Sequence, residues 1–161
     1  MFAALACVAL AAFLRVQLLW VPSPSMVPTL KVGDHVFASD LRYGVRAFDA
    51  FLVRWATPKA GDVVVFKAPP WVPVNAGTSW VKRVLAGPGE RVALTSAQHV
   101  GLTCGARDCV VDDGYLYVVG DNPSNSLDSR FWGAVPIDNV EGTPLLVWMG
   151  ATADRALTVP L

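Results

Sequence analysis

All 12 prolines and all 13 glycines of this 161-residue chain fall beyond residue 20. Before that point lies an unbroken apolar run, residues 1–20, whose single charge is Arg15. Beyond it, little room remains for long helices, because proline lacks a backbone donor and glycine carries a high backbone entropy cost. The runs that remain are short, rich in valine and aromatic residues, and bounded by Pro, Gly, Asp and Asn, a pattern of strands and turns. Strands are expected at 35–38, 63–66, 80–85, 91–94, 115–119 and 145–149, so the fold class is mainly β with little helix outside the leader. The stretch 68–79, with its prolines, Asn75 and Gly77, reads as a long surface loop between two strands. Residues 21–161 are expected to fold as one domain.

About 20 apolar residues suffice for a helix to cross the hydrocarbon core of a bilayer. Residues 1–20 are therefore expected to form a single transmembrane anchor, with Arg15 snorkelling to the headgroups and Trp20 at the interface. A cleaved secretion signal would need a basic start, which this leader lacks, and a buried helix of a soluble domain would bury Arg15. Lipid is thus an expected partner. The 13 Lys and Arg residues balance 13 Asp and Glu residues, so there is no net positive field to hold nucleic acid, and nucleic acid is not expected as a partner.

Three cysteines are present. Cys7 lies in the leader, and Cys104 and Cys109 form a close pair that is either a disulfide facing an oxidising compartment or two free thiols. Two thiols make a poor zinc site, and neither a metal nor another cofactor is expected. The only histidines are His35 and His99, neither beside a Gly-x-Ser-x-Gly turn, which argues against a serine–histidine–aspartate triad. A serine can instead be activated by a lysine that burial keeps neutral. Such a lysine belongs in an apolar strand. Lys82, among Trp80, Val81, Val84 and Leu85, meets that condition, whereas Lys31, Lys59 and Lys67 sit beside turns or prolines. Model-peptide lysine titrates near ~10.4, so a working base needs its pKa lowered by about 3 units.

Three segments in order carry a family resemblance. The first is Pro22-Ser23-Pro24-Ser25-Met26-Val27-Pro28-Thr29-Leu30 with Val32-Gly33-Asp34. The second is Gly61-Asp62-Val63-Val64-Val65-Phe66 leading to Val81-Lys82-Arg83-Val84 and Gly87-Pro88-Gly89-Glu90. The third is Gly120-Asp121-Asn122, then Asn125-Ser126-Leu127-Asp128-Ser129-Arg130-Phe131-Trp132-Gly133. Together they resemble type I signal peptidases, the leader peptidases of serine protease family S26. The resemblance implies a membrane-bound endopeptidase with Ser25 as nucleophile and Lys82 as general base. It further implies an oxyanion hole from the Ser25 N–H and the Ser23 hydroxyl, a Ser126 hydroxyl bonded to the lysine, and a supporting charge cluster of Asp128, Arg130 and Arg83. Pro24 stands where many members have a small residue, and Pro123-Ser124 where bacterial relatives often carry a charged pair.

The resemblance also implies an extended substrate held between residues 20–23 and 79–82, with pocket walls from Val21, Leu30 and Val81. Small apolar pockets accept alanine at the first and third positions before the cut, so preproteins with small residues there are the expected partners. The expected location is a membrane, single-pass, with the catalytic domain on the extracytoplasmic side, most naturally of a bacterial plasma membrane. Specialised relatives, such as a conjugative-transfer pilin peptidase or an organelle inner-membrane peptidase, would share the dyad. A non-catalytic peptide-binding β domain would keep the fold alone. A self-cleaving repressor-type serine–lysine peptidase would carry a DNA-binding helical domain in place of the apolar leader.

Overall fold

The computed structural model describes residues 16–47, 50–93 and 99–150. Its strands are β1 (Gln17–Trp20), β2 (His35–Ser39), β3 (Gly44–Ala47), β4 (Ala50–Arg54), β5 (Val63–Lys67), β6 (Ser79–Ala86), β7 (Arg91–Ala93), β8 (Leu102–Cys104), β9 (Asp108–Val111), β10 (Tyr115–Val119), β11 (Val135–Pro136) and β12 (Val140–Met149). A seven-stranded sheet runs β1-β2-β12-β5-β6-β10-β11, with a β3-β4 ribbon and a small β7-β9-β8 sheet beside it. Among the described residues, helix is limited to one short segment, α1 (Ser129–Trp132), and three single 3-10 turns. The mainly β class stands, and each of the six expected strands overlaps an observed one.

Burial explains the sheet order. Val63 to Phe66 in β5 are all buried, the mark of a strand covered on both faces rather than one that alternates apolar with polar. Its residues feed two cores. Val64 and Phe66 pack with Val84, Leu116, Val118 and Trp132, while Val63 packs with Val21, Met26, Leu30, Val36 and Val147. A third cluster under the small sheet joins Val92, Leu102, Val111, Tyr117 and Ala134. Cys104 and Cys109 face each other across β8 and β9 and form a disulfide, which resolves the two readings of that pair.

The leader departs from expectation at its end. Residues 17–20 are not helical; they form β1, paired antiparallel with β2 from Gln17↔Ala38 to Trp20↔His35. The folded domain therefore takes in β1, earlier than the boundary expected at residue 21. Hydropathy alone does not separate an apolar edge strand from the last turn of an apolar helix. Residues 1–15, where the rest of the expected span falls, lie outside the described residues, and no helix among the described residues is long and apolar enough to cross a membrane. The ribbon β3-β4 and the hairpin β8-β9 lie outside the expected strands; all four are short and lack the clean alternation of a half-buried strand.

The 68–79 stretch is only partly a loop. The β5-β6 ladder runs on past Lys67↔Ser79 through Ala68 N–H to Thr78 O and Gly77 N–H to Ala68 O, both 2.8 Å. The irregular part is a tip at 69–76.

Candidate active site

Ser25 lies in a 3-10 turn, Pro24–Met26, opened by the Pro24 that the sequence places there. Proline suits the first position of such a turn, since its fixed φ is already close to helical and the N–H it lacks would have no acceptor there. Met26 is buried in the core and anchors the turn, and the Leu30 N–H donates to the Met26 carbonyl at 2.8 Å. Lys82 comes from the middle of β6, where β5 covers it on one side. The two meet. Nζ of Lys82 is 2.7 Å from Oγ of Ser25, and the two residues are 4% and 7% exposed. The Ser23 hydroxyl donates to Ser25 Oγ at 3.2 Å.

Burial pushes the Lys82 ammonium down from its ordinary value of 10.5 to about 8, against the upward pull of the Asp128 and Asp121 carboxylates, with Arg130 adding a smaller downward push. The Trp80 ring lies on the same strand face, its centroid 5.6 Å from Nζ. A lysine with that value is neutral in a usable fraction near neutral pH.

The supporting charges are arranged differently from the single cluster expected. Asp128 is fully buried and pairs with Arg130, whose Nε is 2.8 Å from Oδ1 and whose Nη2 is 2.9 Å from Oδ2. Arg83 does not join them. It makes a two-pronged pair with Asp121, at 2.8 Å on both contacts, and also donates to the Gly61 carbonyl at 2.7 Å. Strand alternation is the reason: Arg83 follows Lys82 directly on β6, so the two side chains leave opposite faces. Thr29 closes that second group by donating to Asp121 at 2.5 Å.

The expected bond from Ser126 to the lysine is also replaced. The Ser126 hydroxyl donates to Asp128 Oδ2 at 2.6 Å. Burial raises the Asp128 carboxyl, but hydrogen bonds from Arg130, the Gly120 N–H and Ser126 together hold it below the usual carboxylate range. This carboxylate therefore fixes the loop after β10 and acts on Lys82 as a nearby charge.

Two further residues of the sequence motifs, Asn122 and Gly120, hold the Ser25 turn. The Asn122 N–H donates to the Ser25 carbonyl at 3.0 Å, and its side-chain amide donates to the Pro24 carbonyl at 3.1 Å. Gly120 leaves room for both chains. A Cβ there would come within 2.5 Å of the Ser25 carbonyl oxygen and would collide with the Ser126 hydroxyl. Gly120→Ala is accordingly expected to lower stability by about 1–3 kcal/mol, in the range of overpacking, and to move Ser25 off Lys82. Thermal unfolding and cleavage assays on the same sample check this.

Val21, Leu30 and Val81 do come together, in the core that also holds Met26. Leu30, however, is 0% exposed, so it backs the surface there and does not itself form a wall. Along β6, β10 pairs only with Arg83 to Ala86, which leaves residues 79–82 with an open edge among the described residues.

The family description "Signal peptidase, peptidase S26" matches residues 1–101 and 94–149. The chain belongs to the S26 signal peptidase family. Among its relatives, a probable thylakoidal processing peptidase 2 of Arabidopsis thaliana is 36% identical, over 76% of this chain and 35% of its own length. Signal peptidase I of Pseudomonas fluorescens is 28% identical over 80% and 63%, and a probable signal peptidase I-1 of Synechocystis is 30% identical over 83% and 71%. This chain thus spans between about a third and just over two thirds of the length of these S26 relatives.

Proposed function

We infer that the chain is a membrane-bound serine endopeptidase that removes signal peptides from translocated preproteins, with Ser25 as nucleophile and Lys82 as general base. The observation that carries this reading is the buried 2.7 Å contact between Lys82 Nζ and Ser25 Oγ, with burial driving the lysine toward neutrality. The neutral amine takes the Ser25 proton as Oγ attacks the scissile carbonyl carbon. The resulting ammonium then protonates the departing amine, leaving an acyl ester on Ser25. Lys82 next deprotonates a water that attacks the ester, and the proton returns to Ser25. The Ser25 N–H, in the first turn of its 3-10 segment where no intrahelical acceptor is in reach, and the Ser23 hydroxyl are placed to serve the developing oxyanion. Asp128, Arg130, Arg83 and Ser126 act by positioning the surrounding loops.

The open edge at 79–82 suits an extended peptide paired by backbone hydrogen bonds, with Val21 and Val81 selecting small side chains. A lipid surface is the setting we assign. Leu18 and Trp20 of β1 and Trp148 and Met149 of β12 are each half exposed or more, and Phe37 of the intervening β2 packs its ring 5.7 Å from that of Trp148. Strand β1 of that apolar face directly follows the leader, and the face's tryptophans suit a membrane interface.

Because the working base is the neutral amine, kcat/KM for a peptide with an Ala-x-Ala cut should climb about tenfold per pH unit below pH 8 and level off above it. At pH 6 the rate should be about 100-fold below the plateau. A profile that is flat from pH 6 to 9 would remove Lys82 as the base.

A further inference from the structure

The β5-β6 hairpin carries a feature that the dyad does not use. Its tip, residues 69–76, reads Pro-Pro-Trp-Val-Pro-Val-Asn-Ala. Hairpin tips are ordinarily polar, because turns favour Gly, Asn, Asp and Ser. Here Val74 is 49% exposed, Trp71 is half-buried, and Val72 is 3% exposed in the main core, pinning the tip from beneath. Three prolines restrict the backbone. The Val72 N–H to Pro69 carbonyl bond at 3.0 Å and the Thr78 N–H to Asn75 carbonyl bond at 3.1 Å close the turns on either side. The result is a stiff apolar prong, ordered before anything binds, so little conformational entropy is lost on contact.

Its position is set by the ladder. The open edge of β6 begins beside Lys82 and runs back through Ser79, and the hairpin pairing extends it through Thr78 and Gly77. At about 3.3 Å per residue, the five residues from Lys82 to Gly77 span roughly 17 Å. A peptide chain laid along this edge parallel to β6, with its scissile carbonyl at Ser25, has its fifth to seventh residues before the cut level with the prong. Signal peptides become apolar upstream of their small-residue cleavage site. We propose that the prong, through Trp71 and Val74, is an extended subsite that grips the apolar segment of the substrate about five to seven residues before the cut. The proposal rests on the peptidase reading given above and deepens it. Selectivity is then divided between two places: small pockets at the cut, and an apolar contact upstream.

The test uses two internally quenched peptides with the same Ala-x-Ala cut, one with leucines and one with serines at the fifth to seventh positions before it. Both are assayed in non-ionic detergent with wild type, Val74→Ser and, as a second variant, Trp71→Ser. The quantity read is the ratio of kcat/KM for the leucine peptide to that for the serine peptide. Wild type should favour the leucine peptide by about tenfold, the range given by one apolar contact, and either variant should cut that ratio to about two or three. A ratio near one in wild type, or a ratio unmoved by both variants, overturns the subsite while leaving the peptidase standing. If the ratio holds but Val74→Ser loses binding to vesicles of phosphatidylethanolamine and phosphatidylglycerol, the prong touches lipid and the proposal is wrong. Failure of wild type to cut either peptide removes the peptidase reading, and the subsite with it.

Discussion

Lys82→Met is expected to lower peptide cleavage by about 10⁴-fold or more and, at the same time, to stabilise the fold at neutral pH. The first effect follows from removing the proton acceptor 2.7 Å from Ser25 Oγ. The second follows from the sign of the lysine's shift. Its pKa in the folded protein, about 8, lies below the ordinary 10.5, so between those values the unfolded chain binds the extra proton and stability rises with pH. The burden is full below pH 8 and fades by pH 10.5, on the order of 3 kcal/mol at its largest. Methionine fills a similar volume without charge, so the variant should gain about 2 kcal/mol near pH 7, after losing the hydrogen bond to Ser25, and should be up to about 1 kcal/mol less stable once the burden has faded near pH 10.5. Ser25→Ala should abolish cleavage to a similar degree but leave that pH dependence of stability in place. Denaturant unfolding of the three proteins at pH 7 and pH 10 separates these outcomes.

Asp128→Ala carries the largest expected loss of stability, about 3–5 kcal/mol, because it leaves Arg130 and two further donors around a vacated, fully buried position. The carboxylate accepts from the Gly120 N–H at 2.9 Å, from Ser126, and from both ends of the Arg130 fork. Gly120 in turn lies against the Ser25 carbonyl, so activity should fall further than stability alone accounts for. Asp121→Ala, in the more exposed pair with Arg83, should be milder, at about 1 kcal/mol. Guanidinium unfolding of both variants, with cleavage measured under conditions where each remains folded, checks the ranking.

What the sequence made legible was the chemistry on single elements. Lys82 stands out because it sits among apolar residues of a strand, whereas Ser25, which alone reads as a turn residue, is picked out only by the three-segment resemblance. The pairing of the charges was hidden, since Arg83 is next to Lys82 in sequence yet leaves the other face of β6, where Asp121 meets it. The resemblance assigns Ser126 to the lysine, while its hydroxyl donates to Asp128, two residues along the same loop. Asn122 and Gly120 act through backbone contacts between segments about 100 residues apart, and no local pattern reports such a contact. Strand β1 was hidden differently: an apolar edge strand following an apolar leader has no boundary in hydropathy, and only its register with β2 reveals it.

A Lys82 that serves as the base has an amine that titrates at about 8, and that titration can be followed in the folded protein. In Ser25→Ala protein with lysine labelled at the ε-carbon and nitrogen, the resonance absent from Lys82→Met is assigned to Lys82 and followed from pH 6 to 12. Removing the serine takes away a hydrogen-bonding partner but not the burial that drives the shift, so a midpoint close to 8 is expected. A midpoint near ~10.4, that of a solvated lysine, would remove Lys82 as the base.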